Sequence, residues 1–125
     1  MKRRVISLFL IAAMALSLFA CGGKKGVIEK YEDELKSRGL KYETVQMAAA
    51  MVGAKEGVKF LIGDGRIELY VFDKSSEKYK EFEKSQTMYV EGIASFPAIV
   101  TGGVGMLVTD LDTATYEAIL RSVLD

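Results

Sequence analysis

VKFLIGDGRIELYV (residues 58–71) is the stretch on which the fold turns. Val58, Phe60 and Ile62 fall on one side of an extended chain, and Ile67, Leu69 and Val71 fall on one side of the next, because strand side chains alternate with a period of two. Between them, Gly63-Asp64-Gly65 supplies the residues that a tight reversal tolerates. The spacing predicts a β-hairpin.

Toward the C-terminus, Asp73, Ser75 and Ser76 offer N-caps for a charged helix through about Gln86, whose apolar contacts are Tyr79 and Phe82. After a linking segment, Phe96 to Val100 and Val104 to Thr109 flank Thr101-Gly102-Gly103 and predict a second hairpin. Pro97 lacks an amide donor and belongs at the start or edge of its strand. Asp112 then caps a closing helix that carries Tyr116, Ile119, Leu120 and Val123 at helical spacing.

Toward the N-terminus, Ile28, Tyr31 and Leu35 share one side of a helix predicted from Val27 to about Arg38, with Gly39 placed to stop it. Tyr42 to Ala54 predicts a second helix. Its stripe is Val45, Ala48, Ala49 and Val52, but Met47, Ala50 and Met51 make it apolar nearly all round, and such a helix expects cover on most sides.

When Gly65 is laid on Gly102, Val71 falls on Val108, Asp73 on Asp110 and Tyr79 on Tyr116. A duplicated ββα unit explains this, and so do two unrelated hairpin–helix units that share turn glycines and capping aspartates. Both routes lead to one fold class: an α+β domain with a four-stranded antiparallel sheet made of two hairpins, helices packed on it, and two helices ahead of it.

Composition limits the chemistry. The chain has 125 residues, one domain's worth, with 17 basic and 17 acidic residues, no histidine, no tryptophan and a single cysteine. That excludes Ser-His and Cys-His pairs, His/Cys zinc clusters and a thiol redox pair.

Residues 1–20 differ from the rest. Lys2, Arg3 and Arg4 form a basic start, and Val5 to Ala20 is an uncharged, almost wholly apolar run broken only by Ser7 and Ser17. Spanning helices usually need roughly 20 apolar residues, and this run is shorter and ends at small residues, the layout of a cleaved secretory signal. Leu18-Phe19-Ala20-Cys21 resembles the lipobox of bacterial lipoproteins, a leucine, a loosely specified residue and a small residue before the cysteine that becomes the new N-terminus. Phe19 is bulkier than the usual occupant.

The resemblance implies that residues 1–20 are removed and that the Cys21 thiol carries a diacylglyceryl group holding the protein on the extracytoplasmic side of a membrane. Two acyl chains hold stably where one holds reversibly, at roughly 0.8 kcal/mol per buried methylene. Residues 21–26 then read as a lipidated tether and 27–125 as a single domain. Losing Lys2, Arg3 and Arg4 leaves 14 basic residues against 17 acidic ones, with no basic patch for nucleic acid.

No motif marks a catalytic site. Ser75-x-x-Lys78 spaces a hydroxyl and an amine one helical turn apart, but the accompanying motifs of serine acyl-transfer enzymes are missing, and a capped, exposed helix start explains it. Gly102-Gly103-Val104-Gly105 leads into a strand rather than a helix, so it reads as a hairpin turn and not a phosphate loop. Asp110 and Asp112 lack the further oxygen ligands of a cation loop. Met47 and Met51 read as core filler rather than copper ligands. No catalytic residue, metal or cofactor is expected.

Binding has one candidate. If the hairpins' main apolar face is the core, Leu61, Tyr70, Phe72 and Leu107 point the other way, and that second face is covered by the 42–54 helix or serves as a recognition patch. The expected protein is therefore a membrane-anchored envelope lipoprotein with a small non-catalytic binding or adaptor domain, its partners the bilayer and another envelope protein. The alternatives are an inhibitor or immunity-type protein and a small carboxylate-dependent hydrolase.

Overall fold

The 58–71 hairpin forms at the centre of the molecule. A computed structural model describes residues 26–125, so the expected signal, Cys21 lipidation and most of the tether lie outside the described residues. Strand β2 (Glu56–Ile62) pairs antiparallel with β3 (Gly65–Val71), and Val58, Phe60, Ile62, Ile67 and Leu69 are all buried on one face.

Helix α1 (Val27–Ser37) buries Tyr31 and Leu35, as the spacing predicts. The 42–54 segment is not a helix: it forms strand β1 (Glu43–Gln46) and a short 3₁₀ turn (Ala49–Val52) that ends at Gly53 in the left-handed conformation. Two physical effects override the helical stripe. The free edge of β2 offers unsatisfied backbone groups, which β1 pairs, and Thr44-Val45 is β-branched. The cost is visible, since Val45 and Met51 remain 40% and 54% exposed.

Helix α2 (Glu77–Ser85) starts at Ser76, whose hydroxyl accepts from the Tyr79 N–H at 3.2 Å, and it buries Tyr79 and Phe82. The linking segment is itself structured, as β4 (Thr87–Val90) paired with β5 (Ala94–Pro97) in a separate two-stranded ribbon. The expected strand from Phe96 is thus divided between β5 and a short β6 (Ile99–Thr101), which pairs with β7 (Val104–Thr109). Helix α3 (Thr113–Leu124) closes the chain, with the Asp112 carboxylate accepting from the Thr115 N–H at 3.2 Å.

The main sheet therefore has five strands rather than four, all antiparallel, in the order β1-β2-β3-β7-β6. Helices α1 and α3 seal one face, where Tyr31, Leu35, Phe60, Leu69, Ile119 and Leu120 are fully buried. Helix α2, the ribbon and the 3₁₀ turn sit on the other face, around Tyr70, Phe72, Phe82, Met88 and Val100.

The two ββα units exist, but they are not copies in register. Gly65 opens β3 whereas Gly102 lies in the turn, and α2 and α3 dock on opposite faces. Two hairpins related by a two-fold axis normal to the sheet would carry their helices on the same face. Among the described residues no helix is long and apolar enough to cross a membrane.

Candidate functional site

The second face is only partly roofed, and the opening is a groove of about 280 Å³. Its floor is the row of β3 and β7 side chains that point away from the helix-covered face. Register places Arg66 opposite Thr109, Glu68 opposite Leu107 and Tyr70 opposite Gly105. One wall is Met47, Ala48, Met51 and Val52, from the end of β1 and the 3₁₀ turn, and the other is Met88, Val90 and Phe96 of the ribbon.

Glycines let the walls come close. A Cβ on Gly105 would stand 2.5 Å from the Met88 sulfur, and one on Gly57 would stand 2.8 Å from the Tyr70 ring. A side chain at either position would push the ribbon or Tyr70 away from the sheet.

Three polar residues run along β3 through this apolar surface. The Tyr70 hydroxyl donates to Glu68 Oε1 at 2.6 Å, and Glu68 Oε2 lies 3.8 Å from Arg66 Nε. Burial, then the hydrogen bond to Glu68 and its charge, push the Tyr70 phenol well above its usual value, so it stays a neutral donor. Glu68 is thereby oriented, and Arg66 reaches toward solvent with its side chain 45% exposed. The strip can offer a donor and an acceptor side by side with no net charge.

The four residues expected on the second face separate. Tyr70 and Leu107 line the groove. Phe72 is 3% exposed and stacks against Tyr79 and Phe82 at 5.5 and 5.8 Å, so it is core under α2. Leu61 borders a different, shallow cleft with Lys41, Tyr42, Glu43 and Gly63. The 42–54 helix expected over this face does not form; α2, the ribbon and the 3₁₀ turn cover it in part and leave the groove open.

The remaining motifs are structural. Ser75 donates to Asp73 at 2.7 Å, Ser76 is the helix cap, and Lys78 lies 5.1 Å from the Tyr89 ring centroid. Gly102 and Gly103 form the β6–β7 turn with φ of 58° and 86°. Among the described residues no three His, Cys, Asp or Glu side chains cluster as a metal site.

Sequence reading missed the groove's walls. Met47 and Met51 lie in the segment expected as a helix and read as core filler, whereas Met51 is 54% exposed; Met88 and Val90 lie in the expected link, and Phe96 in the expected second hairpin. A signal was available in Thr87-Met88-Tyr89-Val90, a short alternating run of strand-forming residues. Compared with known proteins, the chain matches no protein-family profile, no curated protein and no solved structure.

Proposed function

We propose that this is a lipid-anchored protein of the bacterial envelope whose folded domain binds a partner through the groove on the second face of its sheet, without catalysis. The observation that carries the reading is the groove itself, three methionines, a phenylalanine and a leucine around an ordered, charge-balanced Tyr70–Glu68–Arg66 strip. Methionine is unbranched and polarisable, and it is favoured on surfaces that adapt to a bound partner. Met51 and Phe96, 54% and 38% exposed, are large apolar side chains left in contact with water at the groove's rim.

The anchor supports the same reading. The Leu18-Phe19-Ala20-Cys21 motif implies a diacylated Cys21, which confines the domain to a membrane surface and raises its local concentration for partners there. Helix α1 begins at Val27, a few residues beyond that cysteine, and packs on the face opposite the groove. The described chain thus enters the domain on the face opposite the groove.

Two measurements test this. Intact mass of the protein from its own membranes is expected to show a chain that starts at Cys21 and carries acyl chains, with Cys21→Ser released from the membrane. Crosslinking in cells is expected to give a saturable partner with the anchored protein that Met51→Lys loses. A Cys21→Ser protein that stayed equally membrane-bound would refute the anchor, and partners unaffected by Met51→Lys would refute the groove.

A further inference from the structure

The groove continues into a break in the sheet, and the break fits a peptide strand. This inference rests on the groove-binding reading above and names the class of ligand. β6 covers only half of β7: its register runs from Thr101 opposite Val104 to Ile99 opposite Met106 and stops. Continued by two residues, that register would set Pro97 against Val108. Pro97 has no N–H to give, and it pairs instead with Thr87 in the ribbon. The chain has already turned away at Ala98, whose N–H donates to the Gln86 carbonyl at 3.1 Å.

The departure leaves backbone groups facing the gap. The two-residue Gly102-Gly103 turn makes Thr101 and Val104 a hydrogen-bonded pair, so in the antiparallel alternation Val104, Met106 and Val108 direct their N–H and C=O toward the β6 side. The β3–β7 register agrees, because the β2–β3 turn sends Arg66, Glu68 and Tyr70 toward β7, and their partners are Thr109, Leu107 and Gly105. β6 partners Val104 and Met106 on that side, whereas among the described residues Val108 has a strand partner only on the other, Ile67 of β3. Beside it lies a second cleft, of about 380 Å³, between Phe96–Ile99 and the outer half of β7. Phe96, Leu107 and Thr109 border both this cleft and the groove.

We propose that an extended, uncharged peptide segment of a partner protein adds as a strand along the outer half of β7, pairing its backbone with the N–H and C=O of Val108 and placing an apolar side chain in the methionine-lined groove. Strand addition draws affinity from main-chain bonds and specificity from pockets that take alternate side chains, and the gap supplies both. Shape selects an extended chain over a compact molecule: the groove and the second cleft, about 280 and 380 Å³, meet along Phe96, Leu107 and Thr109 beside the Val108 backbone. Charge selects an uncharged segment, because Arg66 and Glu68, 3.8 Å apart, compensate each other and leave no net charge to offset that of an ion brought out of water.

The sheet's outer edge at β1 is the competing position. It is fully exposed, but the cleft at its start is lined by the charged Lys41 and Glu43 with Tyr42, Leu61 and Gly63 rather than by methionines.

The test uses the full chain purified from its own membranes in detergent, screened against a displayed library of short linear peptides. The tightest peptide is then remade with a single N-methyl group at each residue in turn. N-methylation is expected to weaken binding by about tenfold at the one residue that pairs with Val108 and little at its neighbours, since only there does the removed donor cost a main-chain bond. Amide exchange at Val108 is expected to slow in the complex, and Met51→Lys, at an exposed position that leaves the core intact, is expected to abolish binding. Binding with no such sensitive residue would overturn strand addition and leave the groove reading standing. Protection at Thr44 or Gln46 instead of Val108 would move the strand to β1 and overturn the site. No enriched peptide would overturn both the strand and a peptide partner for the groove.

Discussion

The two faces of the sheet are built from the same strands and finished differently. Under α1 and α3, Phe60, Ile67, Leu69 and Val104 are all fully buried, and the buried Tyr31 hydroxyl donates to the Tyr116 carbonyl at 3.2 Å. On the other face a nine-residue helix, a two-stranded ribbon and one 3₁₀ turn share the cover and leave a gap along Arg66, Glu68 and Tyr70. Two long helices can close a sheet face, whereas short elements meeting at angles cannot. The first face is the closed one, and the second, with its groove left open, is where a partner can be accommodated without dismantling the core.

The comparison is broken most severely from the sealed side. Phe60 packs on Tyr31 and Tyr42 with ring centroids 5.7 and 5.5 Å away, and Phe60→Ala is expected to cost about 3–5 kcal/mol in chemical denaturation. Gly105→Ala, on the second face, is expected to cost about 1–3 kcal/mol, because the added methyl meets Met88 and Phe72 and lifts the ribbon. Its loss is expected to be smaller in a Met88→Ala background, which a double-mutant cycle would read.

Gln86 gives the next effect. Its side-chain amide donates to the Val100 carbonyl at 2.8 Å and accepts from the Val100 N–H at 2.9 Å, occupying the outer edge of β6 as a strand would. Gln86→Ala leaves both groups unmatched, and a loss of about 1–2 kcal/mol is expected together with faster self-association at the bared edge.

Tyrosine ionisation adds a pH test. Burial is the first cause that raises the phenols of Tyr31, Tyr42 and Tyr70 above the ordinary 10.0. A group whose folded value is raised contributes stability that is intact below its unfolded value and is lost as pH climbs through the folded one. Unfolding free energy is therefore expected to hold steady up to about pH 10 and fall above it. Tyr70→Phe is expected to cost about 0.5–1.5 kcal/mol at neutral pH and to make the alkaline fall shallower. Met51→Ser, at a side chain more than half exposed, is expected to change stability by less than about 0.5 kcal/mol while weakening any groove ligand, which isothermal calorimetry would detect.

Much of the sealed face was legible in the sequence because it obeys simple periods. The alternation of Val58, Phe60 and Ile62 and the helical spacing of Tyr31 with Leu35, and of Tyr116 with Ile119 and Leu120, reappear as one buried cluster. The second face was not legible for the same reason that it is open. The 42–54 segment satisfies a helical stripe through Val45, Ala48, Ala49 and Val52, and only the tertiary availability of the β2 edge decides for β1. Pro97 was expected at the start or edge of a strand of the second hairpin, and it ends β5 instead; the consequence, a strand that peels from β7 and leaves Val108 without a partner on the β6 side, needs the register of three strands at once. Tyr70 and Leu107 were found because outward alternation is local. Phe72 shared that alternation and was claimed by α2.

The most direct test of the account places a photo-crosslinking amino acid at Met51, on the groove, and in a parallel strain at Lys36, on an exposed turn of α1 over the sealed face, and illuminates living cells. The account predicts a discrete adduct from Met51 that is absent from Lys36 and is lost when Cys21→Ser frees the protein from the membrane. Adducts of equal yield from both positions, or none from Met51, would contradict it.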